Sequence, residues 1–120
     1  MLNYKILVFG ANSKTRILLN MINNNEIFYK NKKIKNKKTC LLVDPFLKKP
    51  NFETNIPFLN KKNDFLKGLN KINSFVVGIG GNHGKARYLI SKELLKKKLK
   101  PLSLIHKTSF IDKTSVIGTG

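Results

Sequence analysis

The stretch KILVFGANSKTR, residues 5–16, decides the fold of this chain. Its first half, residues 5–9, is a short and mostly apolar run that ends at Gly10, which is typical of a central parallel strand covered on both faces. Asn12 or Ser13 follows, and the side-chain oxygen of either residue can cap the first turn of a helix. A strand that turns sharply into a helix N-terminus also forms a place that attracts anions. We therefore expect a buried strand, a turn and a helix, with a pocket where they meet.

Outward from this unit, apolar strand-like runs alternate with helical patterns. Further strands are predicted at residues 39–43, 74–79 and 102–105, and further helices at residues 59–69 and 84–99. Two segments rich in Lys, Asn or Pro are interpreted as loops, residues 30–38 and 46–63. The order predicts an α/β fold, a small Rossmann-like parallel sheet of about four strands with helices on both faces.

Buried side chains are predicted on one face of the first helix and at Cys40. In the first helix the apolar residues at helical spacing form one face, which comprises Ile17, Leu18, Met21 and Ile22. Cys40 is the single cysteine of the chain and lies within an apolar run. We therefore expect a buried free thiol, with neither a disulfide nor a cysteine-based metal site.

The carboxyl ends of the predicted strands carry the polar and glycine residues of the chain that could bind a ligand. In parallel sheets ligands bind at these ends. They hold residues 10–14, Asp44, residues 80–82 and His106, which we expect to converge. His83 lies in the same loop region. We favour a structural role for its side chain over contact with a ligand.

Two common glycine motifs do not fit the turn. A P-loop is excluded around Lys14 and around Lys85, because the required set of glycines and hydroxyl is incomplete at both places. The dinucleotide pattern G-x-G-x-x-G has its first glycine at Gly10, but Asn12 and Thr15 occupy the other two glycine positions. Close approach of the backbone to a pyrophosphate is therefore disfavoured, and an NAD(P)-binding Rossmann-like domain is kept as an alternative.

The charge is strongly basic, with 24 basic and 6 acidic residues and a net charge of +18. Such a balance suggests nucleic acid, but Arg16 and Arg87 are the only arginines, and base recognition favours arginine. High lysine together with high Asn and Ile is also typical of a compositional bias in the coding sequence. No specific nucleic-acid partner is expected, although a basic nucleic-acid-binding module remains an alternative.

The sequence shows the pattern of neither a membrane-spanning segment nor a signal peptide. No window approaches the ~18 apolar residues of a membrane span. The first ten residues, MLNYKILVFG, lack the pattern of a signal peptide. The expectation is a cytoplasmic protein.

The C-terminal residues 109–120 contain two units of six residues. Phe110 and Ile111 align with Val116 and Ile117 at this period. A period of six with an aliphatic residue at a fixed place is the hexapeptide pattern of a β-helix, in which stacked repeats bury a shared core. Two units cannot bury that core, so the segment is interpreted as the start of a β-helix that the chain does not complete.

Taken together, the motifs KILVFGANSKTR, LLVDP, FVVGIGGN and LSLIHKTSFIDKTSVIGTG resemble, in this order and over nearly the full length, the N-terminal part of sugar O- and N-acyltransferases of the PglD/NeuD type. That family has a strand running into a GAGGHG-like turn, a strand ending in Asp, and a strand ending in I-G-x-N. A strand ending in L-I-H then leads into the hexapeptide repeats. In the turn the family's two glycines and histidine are here Asn12, Ser13 and Lys14.

The resemblance implies two domains: residues 1–107 bind a nucleotide sugar, and residues 108–120 are the first hexapeptide repeats of an absent left-handed β-helix domain. It implies a UDP- or CMP-sugar as the partner, in the biosynthesis of surface polysaccharides or glycans. The implied substrate-binding residues are Asn12, Ser13, Lys14, Asp44 and Gly80. No catalytic residue and no metal is expected in this chain, because the family's β-helix supplies the catalytic His, the acetyl-CoA site and the trimer contacts.

Overall fold

The computed structural model describes residues 6–23, 27–29, 32–33, 40–61 and 71–120. Two α-helices, a short 3₁₀ helix and eight short strands occur in these ranges. In chain order they are β1 (Ile6–Phe9), α1 (Ser13–Asn23), β2 (Ile27–Tyr29), β3 (Lys32–Lys33), β4 (Cys40–Val43), β5 (Phe58–Leu59), β6 (Ser74–Val77), the 3₁₀ helix (Gly81–His83), α2 (Gly84–Lys96), β7 (Lys100–Pro101) and β8 (Ile105–His106).

Five of the strands form one parallel sheet in the order β5-β4-β1-β6-β7. The strand β1 lies in the middle and pairs with β4 on one side and β6 on the other. All four residues of β1 and of β4 are buried, which explains why both read as unbroken apolar runs. Numbered by chain order within this sheet, the arrangement is 3-2-1-4-5, so the sequence predicted the α/β class and the parallel sheet correctly.

The two helices cover opposite faces of this sheet. Ile6 and Val8 pack in one core cluster with Leu19 and Ile22 of α1. The alternate strand residues pack in a second cluster on the other face, against Leu94 of α2. Because side chains alternate across a strand, one short run supplies both cores.

The sheet has one more strand than the sequence predicted, and its edge strand is displaced. β5 lies within the predicted loop 46–63, since two residues are too few to show a periodic pattern. The strand predicted at residues 102–105 is replaced by β7 at Lys100–Pro101, because an edge strand tolerates a proline. The helix predicted over 59–69 falls largely outside the described residues, as does most of the loop predicted at 30–38, of which residues 32–33 form β3.

The predicted apolar face of α1 is partly wrong. The fully covered side chains are Thr15, Leu19 and Ile22, whereas Ile17 is 57% exposed. The error arises at Thr15, whose hydroxyl donates to the Gly78 carbonyl at the sheet edge. The buried face of α1 is therefore rotated towards Thr15 and away from Ile17. Cys40 is buried as predicted, and its sulfur is a free thiol.

A separate three-stranded antiparallel sheet has the order β3-β2-β8. His106 pairs with Ile27 in this sheet. The expectation that His106 ends a strand of the parallel sheet, together with Asp44 and Gly10, is therefore wrong. The chain has turned away from the parallel sheet between Pro101 and Ile105.

No β-helix is seen at residues 108–120, which contain turns and no strand. Asp112 organises one turn by accepting hydrogen bonds from the backbone N–H and the hydroxyl of Thr114, at 2.9 and 2.6 Å. Phe110 and Val116, two of the residues at the six-residue period, are 91% and 97% exposed. Two units without a stacked neighbour have no layer to pack against, and this corrects the predicted start of a β-helix. The domain boundary between residues 107 and 108 stays a prediction.

No helix in the described parts of the chain is long and apolar enough to cross a membrane.

Candidate ligand-binding site

The site region begins where β1 and β6 end side by side. Gly10 continues the sheet by donating from its N–H to the carbonyl of Val43 at 2.7 Å, and Gly78 donates to the carbonyl of Phe9 at 2.7 Å. Gly10 has a φ of +107°, and a Cβ there would lie 3.2 Å from the Gly78 carbonyl. Only glycine suits this position, because both the backbone conformation and the close approach exclude a side chain. In the order 3-2-1-4-5 these two strands flank the point where the chain reverses direction across the sheet, the usual place for a ligand.

Asn12 caps α1 and fastens it to the end of β6. Its Oδ1 accepts hydrogen bonds from the backbone N–H groups of Lys14 and Thr15, at 2.9 and 3.3 Å. Its Nδ2 donates to the carbonyl of Gly78 at 3.0 Å, and the buried Thr15 hydroxyl donates to the same oxygen at 3.2 Å. The sequence prediction of a cap at Asn12 or Ser13 is thus confirmed at Asn12.

This cap changes what the start of α1 can offer to an anion. In a dinucleotide fold, backbone N–H groups at the start of the helix face the pyrophosphate. Here the N–H groups of Lys14 and Thr15 are already bonded to the Asn12 side chain. At the other helix start, neither Gly80 nor His83 provides a side-chain cap. No side-chain cap therefore stands between a ligand and the start of α2, in contrast to the start of α1.

Asp44 is a buried carboxylate, 8% exposed, that ties two turns together. Its Oδ2 accepts from the N–H of Ala11 at 3.0 Å, and its Oδ1 accepts from the N–H of Phe46 at 2.9 Å. The residue thus holds the β1–α1 turn against the turn after β4. A carboxylate has about four acceptor positions in total, so each oxygen can still accept one further hydrogen bond.

A cleft of about 550 Å³ opens above these turns. Its floor and walls come from the ends of β1, β4 and β6, from the loop after β4 and from the first half of α2. The lining is mainly apolar with a few polar groups: Phe9, Asn12, Asp44, Phe46, Leu47, Asn51, Ile79, His83, Ala86, Leu89 and Ile90. The volume lies within the usual range for pockets that hold small organic ligands.

The five residues predicted to bind substrate do not all reach this cleft. Asn12 and Asp44 line it, whereas Ser13, Lys14 and Gly80 do not. Ser13 and Lys14 are exposed on the first turn of α1. The Lys14 Nζ lies 3.6 Å from the position that a Cβ on Gly80 would take, so this ammonium group lies over the turn after β6. Asn12 and Asp44 therefore line the cleft, whereas Ser13, Lys14 and Gly80 lie outside it, with the Lys14 ammonium group close to Gly80.

Arg87 stabilises the turn after β6 and was not singled out by sequence reasoning. Its Nη1 donates to the carbonyls of Gly80 and Ile79, at 2.7 and 3.3 Å. Gly80 also accepts from the N–H of His83 at 3.1 Å. The arginine lies eight residues after Ile79 in sequence, and no local pattern indicates that its side chain folds back.

Sequence reasoning also missed most of the apolar wall of the cleft. Phe46 is the clearest case, since its ring is 85% exposed although it lines the cleft. A signal was present, because Phe46 follows Asp44 and Pro45 directly after the carboxyl end of a strand. Leu89 is 49% exposed and also lines the cleft. A side chain on the border of a helix face cannot be assigned from periodicity alone.

The described part of the chain has neither a cluster of metal-ligating side chains nor an exposed cysteine. No group of three His, Cys, Asp or Glu side chains there could hold a metal ion. The Cys40 thiol lies in the core, where burial raises its pKa to about 11, so it is protonated at neutral pH.

Comparison with protein-family models, curated proteins and solved structures found no match to this chain.

Proposed function

We propose that the chain binds a nucleotide sugar, a UDP- or CMP-sugar, in the cleft at the carboxyl edge of its parallel sheet. The proposal extends to membership of the acyltransferase type that the sequence motifs resemble, in which this domain presents the sugar to a separate catalytic centre. The cleft at the reversal point of a 3-2-1-4-5 sheet is the observation that carries it.

The apolar wall of the cleft suits a flat nucleobase. The exposed ring of Phe46 lines one part of the cleft, and Leu89 and Ile79 line another. Stacking of a base on an aromatic side chain contributes about 1–3 kcal/mol. Phe46 is therefore assigned the contact with the base.

The polar groups suit a ribose and its phosphates. Asp44 retains acceptor capacity on both oxygens, and ribose hydroxyls are hydrogen-bond donors. Lys14 supplies a positive charge beside the Gly80 turn, and this turn leads into helix starts without side-chain caps. We place the diphosphate on this side of the site, since the N–H groups of Lys14 and Thr15 are already bonded to Asn12.

Calorimetric titration tests the proposal, with UDP-N-acetylglucosamine and CMP-N-acetylneuraminate as probes and with inorganic phosphate and NAD(P)⁺ for comparison. Saturable binding of at least one nucleotide sugar, tighter than that of phosphate, is expected. Equal weak binding of all anions would show a charge effect alone. Preferential binding of NAD(P)⁺ would replace the proposal with the dinucleotide alternative.

Two exposed phenylalanines provide a matched pair of variants. Phe46→Ala is expected to weaken binding about tenfold, because base stacking contributes about 1–3 kcal/mol. Phe110→Ala serves as the control, because Phe110 is 91% exposed and does not line the cleft. If both variants bind the nucleotide sugar as the unaltered chain does, Phe46 does not contact the base.

A further inference from the structure

A row of lysines follows the solvent-facing side of α2. Lys85, Lys92 and Lys96 are exposed and are spaced seven and four residues apart, which aligns them along a helix. Lys97, Lys98 and Lys100 are also exposed and continue the positive charge beyond the C-terminal end of α2. Glu93 is the one acidic residue within α2, and it pairs with Lys96 at 3.2 Å.

Apolar side chains flank this row without contributing to the core. Tyr88 and Leu95, seven residues apart on one side of the row, are 64% and 51% exposed. The core-facing side of the same helix is supplied by Leu94 and Ile90, which pack against the sheet. We call Lys85, Tyr88, Lys92, Leu95 and Lys96 the lysine face.

We propose that the lysine face docks onto an anionic lipid surface. Charge complementarity carries the argument, since lysines near such a surface attract anionic headgroups. The exposed Tyr88 and Leu95 fit the boundary between headgroups and acyl chains, where an amphipathic helix lies in the membrane plane. Phosphates of a nucleic acid offer no apolar partner to Leu95. The arginine of this helix, Arg87, is turned inward onto the carbonyls of Gly80 and Ile79 and is not part of the face.

Vesicle co-sedimentation tests the proposal with the full 120-residue chain. Binding is expected to phosphatidylcholine vesicles that contain phosphatidylglycerol and not to vesicles of phosphatidylcholine alone. Added salt weakens the binding, since it screens exposed charges. Equal binding to both kinds of vesicle, or to neither at low salt, overturns the proposal.

Two triple variants with the same loss of charge locate the surface. Lys85→Gln, Lys92→Gln and Lys96→Gln together are expected to reduce binding roughly 100-fold, at about fivefold for each lysine. The control carries Lys48→Gln, Lys49→Gln and Lys61→Gln, which are exposed and lie outside α2. It is expected to bind within about twofold of the unaltered chain, and this small loss reflects the lower net charge. Equal loss in both triple variants overturns the assignment to α2.

A second pair of measurements tests the apolar part of the face and the choice of lipid. Tyr88→Ser with Leu95→Ser is expected to abolish the vesicle binding that persists at high salt, whereas Ile17→Ser, at a 57% exposed position on α1, leaves it unchanged. Circular dichroism confirms that each variant is folded. A duplex DNA oligonucleotide that binds more tightly than the anionic vesicles, and through the same lysines, would assign the surface to nucleic acid instead.

Discussion

Single side chains at the carboxyl edge hold the backbone of the site in place. Asp44 and Asn12 each accept hydrogen bonds from backbone N–H groups, and Asn12 also donates to the Gly78 carbonyl. Both were predicted from the sequence as substrate contacts. The structure gives both of them structural hydrogen bonds in addition, so their substitution is expected to change stability as well as binding.

At Asp44, replacement by alanine is expected to destabilise the fold by about 2–3 kcal/mol, because the N–H of Ala11 loses its buried, charged acceptor. Urea unfolding followed by circular dichroism measures this change. Glu53→Gln is the control, since Glu53 is an exposed carboxylate and its loss is expected to change stability by less than ~0.5 kcal/mol. An Asp44→Ala chain as stable as the control would show that the two turns do not depend on this carboxylate.

For Asn12, two substitutions separate its two roles. Asn12→Ser keeps an acceptor for the N–H groups of Lys14 and Thr15 but loses the donor to the Gly78 carbonyl. Asn12→Ala loses both and is expected to cost about 1–3 kcal/mol of unfolding free energy, and more than Asn12→Ser. Thermal unfolding of both variants is compared with that of Asn20→Ala, an exposed position on the same helix. Equal stability of all three would contradict the assigned cap.

Between elements, the close approach of α1 and β6 limits which residues can occupy the strand end. A Cβ on Gly78 would lie 2.6 Å from the Thr15 Oγ1, and this hydroxyl is buried and bonded to the Gly78 carbonyl. The oxygen cannot move without losing its hydrogen bond. At this contact Gly78 has no room for a side chain, and Thr15 has no room for a larger one.

A double-mutant cycle at this contact has a definite expected sign. Gly78→Ala alone is expected to destabilise the protein by about 1–3 kcal/mol, the usual cost of overpacking. In a Thr15→Ala background the same change is expected to cost less, because the clashing oxygen is absent. Denaturant unfolding of the four chains gives the coupling energy. Costs that simply add would show that helix and strand do not meet here as described.

Across the whole molecule, the buried thiol of Cys40 links stability to alkaline pH. Burial raises the Cys40 pKa from 9.0 to about 11 in the folded chain. The folded state therefore favours the protonated thiol, and this contribution is complete below about pH 9 and is lost as the pH rises towards 11. The loss is about 2 kcal/mol over that interval.

Comparison with Cys40→Ala isolates this contribution, because lysines and tyrosines titrate in the same interval in both chains. The unaltered chain is expected to lose more unfolding free energy than Cys40→Ala between about pH 9 and about pH 11. Denaturant unfolding at the two pH values measures the difference. Parallel decline of the two chains would mean that Cys40 is not buried in the core.

The sequence predicted the layered α/β architecture because β1 and β4 are short runs whose every residue is buried. It did not predict β5, since two residues carry no periodicity. It also mistook the end of the sheet, because His106 pairs in a different sheet with Ile27, far away in sequence. Local patterns determine which segments are buried, whereas the pairing of short strands depends on contacts that no local pattern records.

The same distinction explains the candidate site. Asp44 follows β4 directly and Asn12 lies in the turn three residues after β1, so their position at the carboxyl edge was predictable, and both line the cleft. The opposite wall depends on how α2 lies across the sheet, and Leu89 reaches the cleft only through that packing. The role of Arg87 depends on a side chain that folds back onto Gly80.

Binding of a nucleotide sugar in the cleft is the central claim, and an amide NMR titration tests it most directly. With ¹⁵N-labelled chain and UDP-N-acetylglucosamine or CMP-N-acetylneuraminate, the account predicts saturable shifts that include the amides of Phe46, His83 and Leu89, with inorganic phosphate unable to reproduce them. Shifts that do not saturate, or that fall on α1 and residues 107–120 while the cleft amides stay unchanged, would contradict it.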